Sequence, residues 1–469
     1  MSADNPALTP SDDNKPWYKL LNRYHWYVLI VAALGWLFDA MDQQLFVLAA
    51  SPALSDLTGL NIKDVGEYRG LATTIFIMGW ATGGLIFGFF GDRFGRARTM
   101  IITILIYSLF TGLSGLSQSF TDFAIYRFLA GIGVGGEFAA GVALVAEVMP
   151  SKARPYALGF LQALSAVGNA AAAGINLLFP ADKEMTFFNL EGFQGWRLLF
   201  FVGVLPAILV IFIRRGLKEP DLWKQAKETK KDDFHRQMGD LREMFGTPRW
   251  RYNIIVGVWM GMIGVMGLWG VGLWARELIT NIVVKDPAIA NNYLSYGFMI
   301  GNIGTFFGVY SFSWITGKIG RRWAFALAYS LAMIANILFF GFLTDKSQVL
   351  WAMPLLFFCI FMVFGGFAVY FPELFPTRLR ATGTGFCYNV ARYLAAVAPL
   401  VLGLLISMYS APADTLRGEE KLSSLTILSS LGSTDHALRY AAITVTMVYI
   451  FGLLIVPFIP ETKDQPLPE

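Results

Sequence analysis

Long runs of apolar residues recur along almost the whole chain, and they restrict the folds that it can adopt more than any other feature. A membrane-spanning helix needs about 20 mostly apolar residues, and the chain contains twelve windows of that kind. The windows begin near Trp26, Gly70, Ala97, Asp122, Pro155, Trp196, Tyr252, Asn292, Trp323, Leu350, Ala381 and Leu438. Such continuous runs argue against a transmembrane β-barrel, whose strands alternate apolar and polar residues over roughly ten positions. The sequence therefore predicts an all-α membrane protein with twelve transmembrane helices.

The composition and the distribution of charge agree with this prediction. Hydrophobic residues make up 55% of the chain and charged residues 15%, whereas soluble domains contain about 25% charged residues. The net charge of +4 does not indicate nucleic-acid binding, because the basic residues are concentrated in alternate loops. By the positive-inside rule, such loops face the cytoplasm. We therefore expect both termini to be cytoplasmic, in a protein embedded in the inner or plasma membrane.

A long charged stretch divides the predicted helices into two sets of six. The predicted organisation is a cytoplasmic N-terminal segment (1–25), a first half (26–213), a central cytoplasmic loop (214–251), a second half (252–459) and a cytoplasmic tail (460–469). Two such halves with parallel topology are a common transporter design, in which a site at their interface opens alternately to each side.

An internal repeat supports the division into halves. The segment Glu147-Val-Met-Pro150 recurs as Glu373-Leu-Phe-Pro376, an offset of 226 residues, and Arg154 recurs as Arg380 at the same offset. Likewise Gly95-Arg96 recurs as Gly320-Arg321, an offset of 225 residues. The matches fall at corresponding predicted loops, as expected if one half is a copy of the other.

Three motifs in this sequence resemble those of the major facilitator superfamily. The loop after the second helix contains Gly88, Gly91, Asp92, Arg93, Gly95 and Arg96, the fourth helix reads Tyr126-Arg127-Phe-Leu-Ala-Gly131-Ile-Gly133-Val-Gly135-Gly136-Glu137, and the last helix ends at Pro460-Glu461-Thr462-Lys463. The resemblance covers nearly the whole chain and extends to the branch of metabolite and organic-acid proton symporters, with some motifs like those of sugar porters. One departure is that Gly317 stands where the first half has Asp92, so we expect the charge network to be asymmetric.

The charged residues of these loops are interpreted as an inner gate, that is, ion pairs that hold the cytoplasmic side closed and break when it opens. In the first half, Asp92, Arg93 and Arg96 can pair with helix ends and with Glu147 and Arg154. The corresponding residues of the second half are Arg321, Glu373 and Arg380. The alternative is a solvated cluster that only sets topology. The matched Glu and Arg in both halves favour the gate.

Two aspartates in the first predicted helix suggest proton coupling. Asp39 and Asp42 are three residues apart, which places them on neighbouring parts of one helix face. A charge at the centre of a membrane helix costs about 2.5–3.5 kcal/mol on insertion scales, and neighbouring carboxylates favour protonation of one of them. The pattern resembles the paired aspartates of aromatic-acid and sialic-acid proton symporters. The alternative is a structural ion pair with Arg127, which would also suit a coupling role, and Glu137 is either a second proton site or a packing residue.

Arg392, in the eleventh predicted helix, is the main candidate for substrate binding. Its planar guanidinium suits a carboxylate, and the segment that includes Tyr388 and Asn389 resembles that of organic-anion transporters. The alternative is an internal ion pair with an aspartate. Gln162 and Asn169 lie seven residues apart on one face of the fifth helix and resemble the polar pair that binds substrate in sugar porters. The predicted substrate site therefore combines one cation with several neutral polar groups.

Other chemistry is poorly supported by the sequence. The histidines His25, His235 and His436 are widely separated and lie outside the predicted membrane core, so neither a metal site nor a catalytic triad is indicated. A phosphate-binding loop of the ATPase type is also not found. We therefore predict a monomeric secondary transporter rather than an enzyme, which needs no cofactor beyond a proton gradient and imports a small organic anion. The alternatives are a sugar or polyol symporter and a non-transporting sensor or scaffold on the same fold.

Overall fold

The structure, a computed structural model, describes residues 15–62, 64–187, 190–228, 238–284, 286–395, 405 and 434–468. The first half contains α1 (Arg23–Thr58), α2 (Gly66–Phe94), α3 (Arg96–Ser114), α4 (Phe120–Val148), α5 (Arg154–Leu178) and α6 (Gly195–Gly216). The central segment contains α7 (Asp221–Glu228) and α8 (Leu241–Gly246). The second half contains α9 (Pro248–Glu277), α10 (Pro287–Ile319), α11 (Arg321–Phe342), α12 (Lys346–Tyr370), α13 (Arg380–Ala395), α14 (Thr434–Thr446) and α15 (Val448–Ile455).

Among the described residues, eleven helical segments are long and apolar enough to cross a membrane, with α14 and α15 together forming the last. The remaining predicted helix begins as α13, close to the expected start at Ala381, and its continuation at 396–404 lies outside the described residues. One element was not predicted. A two-stranded antiparallel hairpin, β1 (Glu184–Phe187) and β2 (Leu190–Gln194), connects α5 to α6. The prediction of an all-α bundle is otherwise confirmed.

Local sequence signals set where several helices begin. The side chain of Asn22 accepts a hydrogen bond from the backbone N–H of His25 (2.8 Å) and so caps α1. Asp345 caps α12 in the same way. Side-chain oxygens at these positions satisfy N–H groups that the helix itself leaves unpaired. Gly95 and Gly320 each adopt positive φ, 115° and 85°, at the tight turns before α3 and α11.

Glycines bring helices together at corresponding places in the two halves. On α2, the Cα atoms of Gly79 and Gly83 lie directly against the carbonyl oxygens of Phe128 and Ile132 on α4. On α10, Gly304 and Gly308 lie in the same way against Pro354 and Phe358 on α12. A side chain at any of the four glycines would overlap a carbonyl oxygen, so only glycine permits these approaches. The offsets of 225 and 226 residues found in the loop motifs therefore hold for helix packing too.

The helix ends that carry Arg96, Arg154, Arg321 and Arg380 all lie on one side of the bundle, which we call the basic end. These residues begin α3, α5, α11 and α13. The two halves meet at the basic end along two seams. The first seam is formed by α2 and α13, and the second seam by α5 and α10.

The glycine contacts give a first prediction. Gly83→Ala should reduce the stability of the folded protein by roughly 1–3 kcal/mol, the usual range for inserting a methyl group into a packed interior. Gly174→Ala is the matched control, because a Cβ at that position of α5 would meet nothing within 4 Å. Thermal unfolding in detergent measures both variants. Equal melting temperatures for the two would contradict the packing described above.

Candidate functional site

Asp92 joins the two halves at the first seam. Its carboxylate, at the end of α2, accepts hydrogen bonds from the backbone N–H groups of Ala381 (3.0 Å) and Thr382 (2.8 Å) and from the Thr382 hydroxyl (2.5 Å), all at the start of α13. The same carboxylate pairs with Arg96 at 2.8 Å. An anion at a helix N-terminus is stabilised by unpaired N–H groups and by the helix dipole. Asp92 therefore holds α13 of the second half against α2 of the first.

Glu147 forms a second buried connection between the halves. It accepts hydrogen bonds from Arg96 on its own half (2.8 and 3.3 Å) and from Arg380 on the other half (2.8 Å). Arg96 also donates to the carbonyl oxygen of Thr377 across the seam (2.7 Å). Buried charges are tolerated when they are paired and hydrogen-bonded in this way. Gly88 and Gly91 let α13 approach, since their Cα atoms lie against Ala381.

The second half repeats part of this network. Arg321 donates to both carboxylate oxygens of Glu373, at 2.8 and 3.0 Å, as Arg96 does to Glu147. Arg154 donates to the carbonyl oxygen of Ala146 (2.8 Å) and, among the described residues, has no carboxylate within 4.0 Å. Thus the expected asymmetry is present, because Arg380 crosses between the halves and Arg154 does not.

The residues at two repeat-related positions explain the asymmetry. Gly317 replaces Asp92, and by the repeat offset Pro155 replaces Ala381. The second seam therefore lacks both the carboxylate and one of the N–H donors of the first.

Arg93 does not join the network in the described contacts. It is exposed, and its guanidinium lies 5.7 Å from the ring centroid of Phe89.

Two glutamates that the sequence analysis did not assign to the network cap helices at the basic end. Glu219 accepts hydrogen bonds from the backbone N–H groups of Arg96 (2.6 Å) and Arg98 (3.2 Å) at the start of α3. Glu461 does the same for Arg321 (2.9 Å) and Arg322 (3.2 Å) at the start of α11. Glu461 belongs to a motif that the sequence analysis noted, but Glu219 had no such signal.

The central segment also contributes contacts that the sequence did not reveal. The indole N–H of Trp223, on α7, donates to the carbonyl oxygen of Asp92 (2.6 Å). Glu243, on α8, forms a bidentate ion pair with Arg378 at 2.5–3.0 Å. The backbone N–H of Gly239 donates to the carbonyl oxygen of Arg378 (2.7 Å). The segment predicted as a connecting loop thus packs across the first seam.

Within the bundle, Asp42 is paired with Arg127. The closest approach of the carboxylate and the guanidinium is 3.6 Å, and both side chains are fully buried. Arg127 also donates to the hydroxyls of Ser114 (3.0 Å) and Thr111 (2.9 Å), and its guanidinium lies 4.8 Å from the ring centroid of Phe200. The predicted pair of α1 and α4 is therefore present, with the cation held by several partners besides Asp42.

Asp39 has different surroundings, although it is only three residues from Asp42. Its side chain is fully buried, and neither carboxylate oxygen has a hydrogen-bond donor among the described residues. Glu137 of α4 is close by, because its carboxylate lies against the Cα of Gly35, one turn before Asp39 on α1. One oxygen of Glu137 is likewise buried without a partner. Two buried carboxyl groups therefore lie close together in this part of the bundle.

Arg392, on α13, lies between two aromatic rings. Its guanidinium is 3.6 Å from the ring centroid of Trp80 on α2 and 4.2 Å from that of Tyr388, and it donates to the side-chain oxygen of Asn389 (2.7 Å). Only 6% of the residue is exposed. Among the described residues it has no carboxylate within 4.0 Å. The expected alternative of a close ion pair with an aspartate is therefore not found in this part of the chain.

Aromatic rings connect the Arg392 region to α1. Tyr388 stacks on Phe138 of α4 (centroids 4.5 Å apart), and Phe138 contacts Trp36 of α1 (4.7 Å). Phe138 directly follows Glu137, and Trp36 is three residues before Asp39. The predicted cation and the predicted proton sites thus border one aromatic cluster at the interface of the halves.

Gln162 and Asn169 lie on α5. The amide of Asn169 donates to the side-chain oxygen of Asn302 on α10 (3.4 Å), and the side-chain oxygen of Gln162 is buried without a partner among the described residues. No hydrogen bond that the structure describes joins either residue to Arg392. The predicted substrate residues therefore fall into two groups, one beside α13 and one beside α10. Among the described residues, no cluster of three or more His, Cys, Asp or Glu side chains could hold a metal ion.

The helix caps give a second prediction. Partial burial acts to raise the pKa of Glu461, but hydrogen bonds from the backbone N–H groups of Arg321, Lys463 and Arg322 lower it overall. Glu461→Ala should therefore cost about 0.5–2 kcal/mol of stability near neutral pH. A depressed pKa stabilises the fold above the pKa of the unfolded state, so the difference should shrink as pH falls through the native pKa.

Thermal unfolding of the unchanged protein and of Glu461→Ala, measured from neutral pH down through the pKa of Glu461, tests this prediction. Asp464→Asn is the control, since the side chain of Asp464 is 87% exposed and caps no helix in the described contacts. The same loss in both variants, or a difference that does not change with pH, would contradict the capping role.

Comparison with known proteins agrees with this geometry. The model of the Major Facilitator Superfamily matches residues 32–399. A putative metabolite transport protein of Haemophilus influenzae is 30% identical over 397 residues, which cover 83% of this chain and 91% of that protein. A probable 4-methylmuconolactone transporter of Cupriavidus pinatubonensis is 30% identical (83% and 86% covered), and a sialic acid transporter of Escherichia coli is 29% identical (84% and 90% covered). The solved structure of the E. coli proton:xylose symporter XylE has a TM-score of 0.72 at 18% identity and covers 95% of this chain and 98% of its own. The chain therefore belongs to the major facilitator superfamily of membrane transporters.

Proposed function

We propose that this transporter imports a small organic anion together with protons. Arg392 is the observation that carries the proposal. A buried guanidinium has lost its water, and among the described residues neutral groups replace it, namely aromatic faces, the Asn389 amide oxygen and a polar contact with Tyr388. A buried charge is costly without an ionic partner. A substrate carboxylate at Arg392 would supply that partner, and the aromatic rings beside it would cover the rest of a small molecule.

The names of several relatives support an anionic substrate. A cis,cis-muconate transport protein and a niacin transporter of Acinetobacter baylyi are 28% and 25% identical to this chain. Like the sialic acid transporter, they are named after compounds that carry a carboxylate. Relatives at this level of identity often differ in substrate, so the shared chemistry is the carboxylate rather than any one compound.

The buried carboxylates support proton coupling, and their surroundings suggest different roles. Asp42 faces Arg127 at 3.6 Å, and these opposite charges attract each other. Asp39 and Glu137, in contrast, have no cation within 4.0 Å among the described residues. In the proposed cycle, Asp39 and Glu137 take up and release the proton, while Asp42 and Arg127 keep their charges and tune that site. The inner gate then alternates between the closed state described here and an open state in which its inter-half contacts are broken.

A sugar or polyol substrate is the second candidate, and Gln162 is the observation that favours it. Its buried side-chain oxygen lacks a partner among the described residues and could accept a hydrogen bond from a hydroxyl group. Uptake of a panel of carboxylic acids against sugars and polyols, in proteoliposomes with an imposed proton gradient, separates the two candidates. Transport restricted to neutral sugars would overturn the anion proposal.

Arg392 provides the third prediction. Arg392→Ala should weaken binding of the transported acid by about 2–5 kcal/mol, the usual cost of removing one member of a buried charge pair. Arg392→Lys should weaken it less, because the ammonium keeps the charge but loses the planar fork. Calorimetry on purified protein measures the affinity, and Arg276→Ala, at an exposed arginine of α9, is the control. Unchanged affinity in Arg392→Ala would refute the assignment.

The carboxylates provide the fourth prediction. Asp39→Asn and Glu137→Gln should abolish substrate-driven proton uptake yet retain exchange of labelled substrate between equal concentrations, which needs no net proton movement. Asp42→Asn should instead lower stability by roughly 3–5 kcal/mol, because it leaves Arg127 buried and unpaired. Replacing both members, as in Asp42→Asn with Arg127→Met, should recover part of that loss.

Proton uptake is followed with a pH-sensitive dye in liposomes, and stability by thermal unfolding. Normal proton uptake in Asp39→Asn and Glu137→Gln would show that these groups do not carry the proton. A loss of proton uptake without a loss of stability in Asp42→Asn would transfer the coupling role to Asp42.

A further inference from the structure

The second seam, between α5 and α10, lacks the bond that secures the first. At the first seam, Asp92 of α2 accepts hydrogen bonds from two N–H groups of α13. At the second seam, the corresponding positions are Gly317, which has no carboxylate, and Pro155, which has no N–H. The second seam therefore lacks both the acceptor and one donor. Yet the helices remain close, since the Cα of Gly159 on α5 lies directly against the hydroxyl of Ser313 on α10.

An aromatic side chain from outside both halves occupies this seam. Residues 16–20, which we call the N-terminal clasp, form a short 3-10 helix from Trp17 to Leu20 ahead of α1. The ring of Trp17 stacks on that of Tyr156 at the start of α5, with centroids 5.8 Å apart and an angle of 5° between the planes. Trp17 also makes a polar side-chain contact with Tyr310 on α10. One residue thus touches both sides of the seam.

The position of Tyr156 connects the clasp to the missing aspartate. By the repeat offset, Tyr156 corresponds to Thr382, the residue whose N–H and hydroxyl bind Asp92. The hydroxyl of Tyr156 lies 3.2 Å from the point where a Cβ of Gly317 would be. At the first seam this space holds the carboxylate of Asp92. At the second seam the hydroxyl of Tyr156 borders the corresponding space, and Trp17 stacks on the ring of Tyr156.

We infer that the N-terminal clasp stabilises the state in which the basic end is closed, and that Trp17 does at the second seam what Asp92 does at the first. The clasp is tied to the first half through α1, and Tyr310 belongs to the second half. Separation of α5 from α10 must therefore break the contact of Trp17 with either Tyr156 or Tyr310. Stacked aromatic pairs contribute beyond their buried area, so loss of Trp17 should favour the open state.

Distance measurements between spin labels across the basic end test this inference without any substrate. Labels are placed at Arg98→Cys on α3 and Trp323→Cys on α11, two exposed positions in opposite halves, with the buried Cys359 and Cys387 replaced by alanine. Trp17→Ala should increase the ratio of long to short distances about 2- to 10-fold, the range that one aromatic pair provides. Trp17→Phe, which can still stack, should have a smaller effect.

Tyr18→Ala is the matched control, because Tyr18 is on the same turn and is 49% exposed. It meets the ring of Trp17 only edge-on, with centroids 6.1 Å apart, and touches neither tyrosine of the seam in the described contacts. Asp92→Asn calibrates the readout, since it weakens the first seam. Tyr310→Phe removes only the polar contact that Tyr310 of the second half makes with Trp17. This variant tests the inference if Trp17→Ala does not fold. A distance distribution unchanged in Trp17→Ala or Tyr310→Phe, or shifted equally by Tyr18→Ala, would overturn the inference. None of these outcomes bears on whether the substrate is an anion.

Discussion

The need to pair every charge that is buried away from water governs the organisation of this protein. Inside an apolar bundle a guanidinium or a carboxylate has no solvent to replace a missing partner. Arg96 and Arg380 meet this need by both pairing with Glu147, Arg96 from the same half and Arg380 from the other. Their attraction to Glu147 is therefore also the force that joins the halves at the basic end. Any opening of that end must supply the buried groups with new partners or with water.

The same requirement distinguishes the groups in the middle of the bundle. Asp42 and Arg127 form an ion pair at 3.6 Å, and the hydroxyl oxygens of Ser114 and Thr111 accept hydrogen bonds from the arginine. Asp39 and Arg392 are not satisfied in this way by the described residues. A carboxyl group can resolve the difficulty by taking up a proton, whereas a guanidinium does not lose its proton and is stabilised by an anion. The proposed proton uptake at Asp39 and the proposed anion binding at Arg392 would therefore both follow from one constraint.

The internal repeat shows which parts of the network a duplicated fold retains. The glycine contacts of α2 with α4 recur between α10 and α12, and the glutamate caps of α3 and α11 correspond as well. These features determine how each half folds. The contacts between the halves differ, because Asp92 and Arg380 bind across the first seam, while Gly317 has no side chain to do so and Arg154 has no carboxylate partner among the described residues. Divergence is thus concentrated at the interface, where the two seams need not open in the same way.

The sequence by itself predicted twelve membrane helices in two halves, and eleven spanning segments are found in the part of the chain that the structure describes. It also identified the charged residues that are buried. Helix length and apolar content follow from the thickness of the bilayer, and charges in apolar runs are visible without any structure. The partners of those charges depended on the tertiary structure. Asp39 and Asp42 look equivalent in the sequence, but the turn of the helix directs one toward Glu137 and the other toward Arg127. Likewise Trp17 and Glu219 gave no signal in the sequence, because their roles arise from contacts between segments that are far apart along the chain.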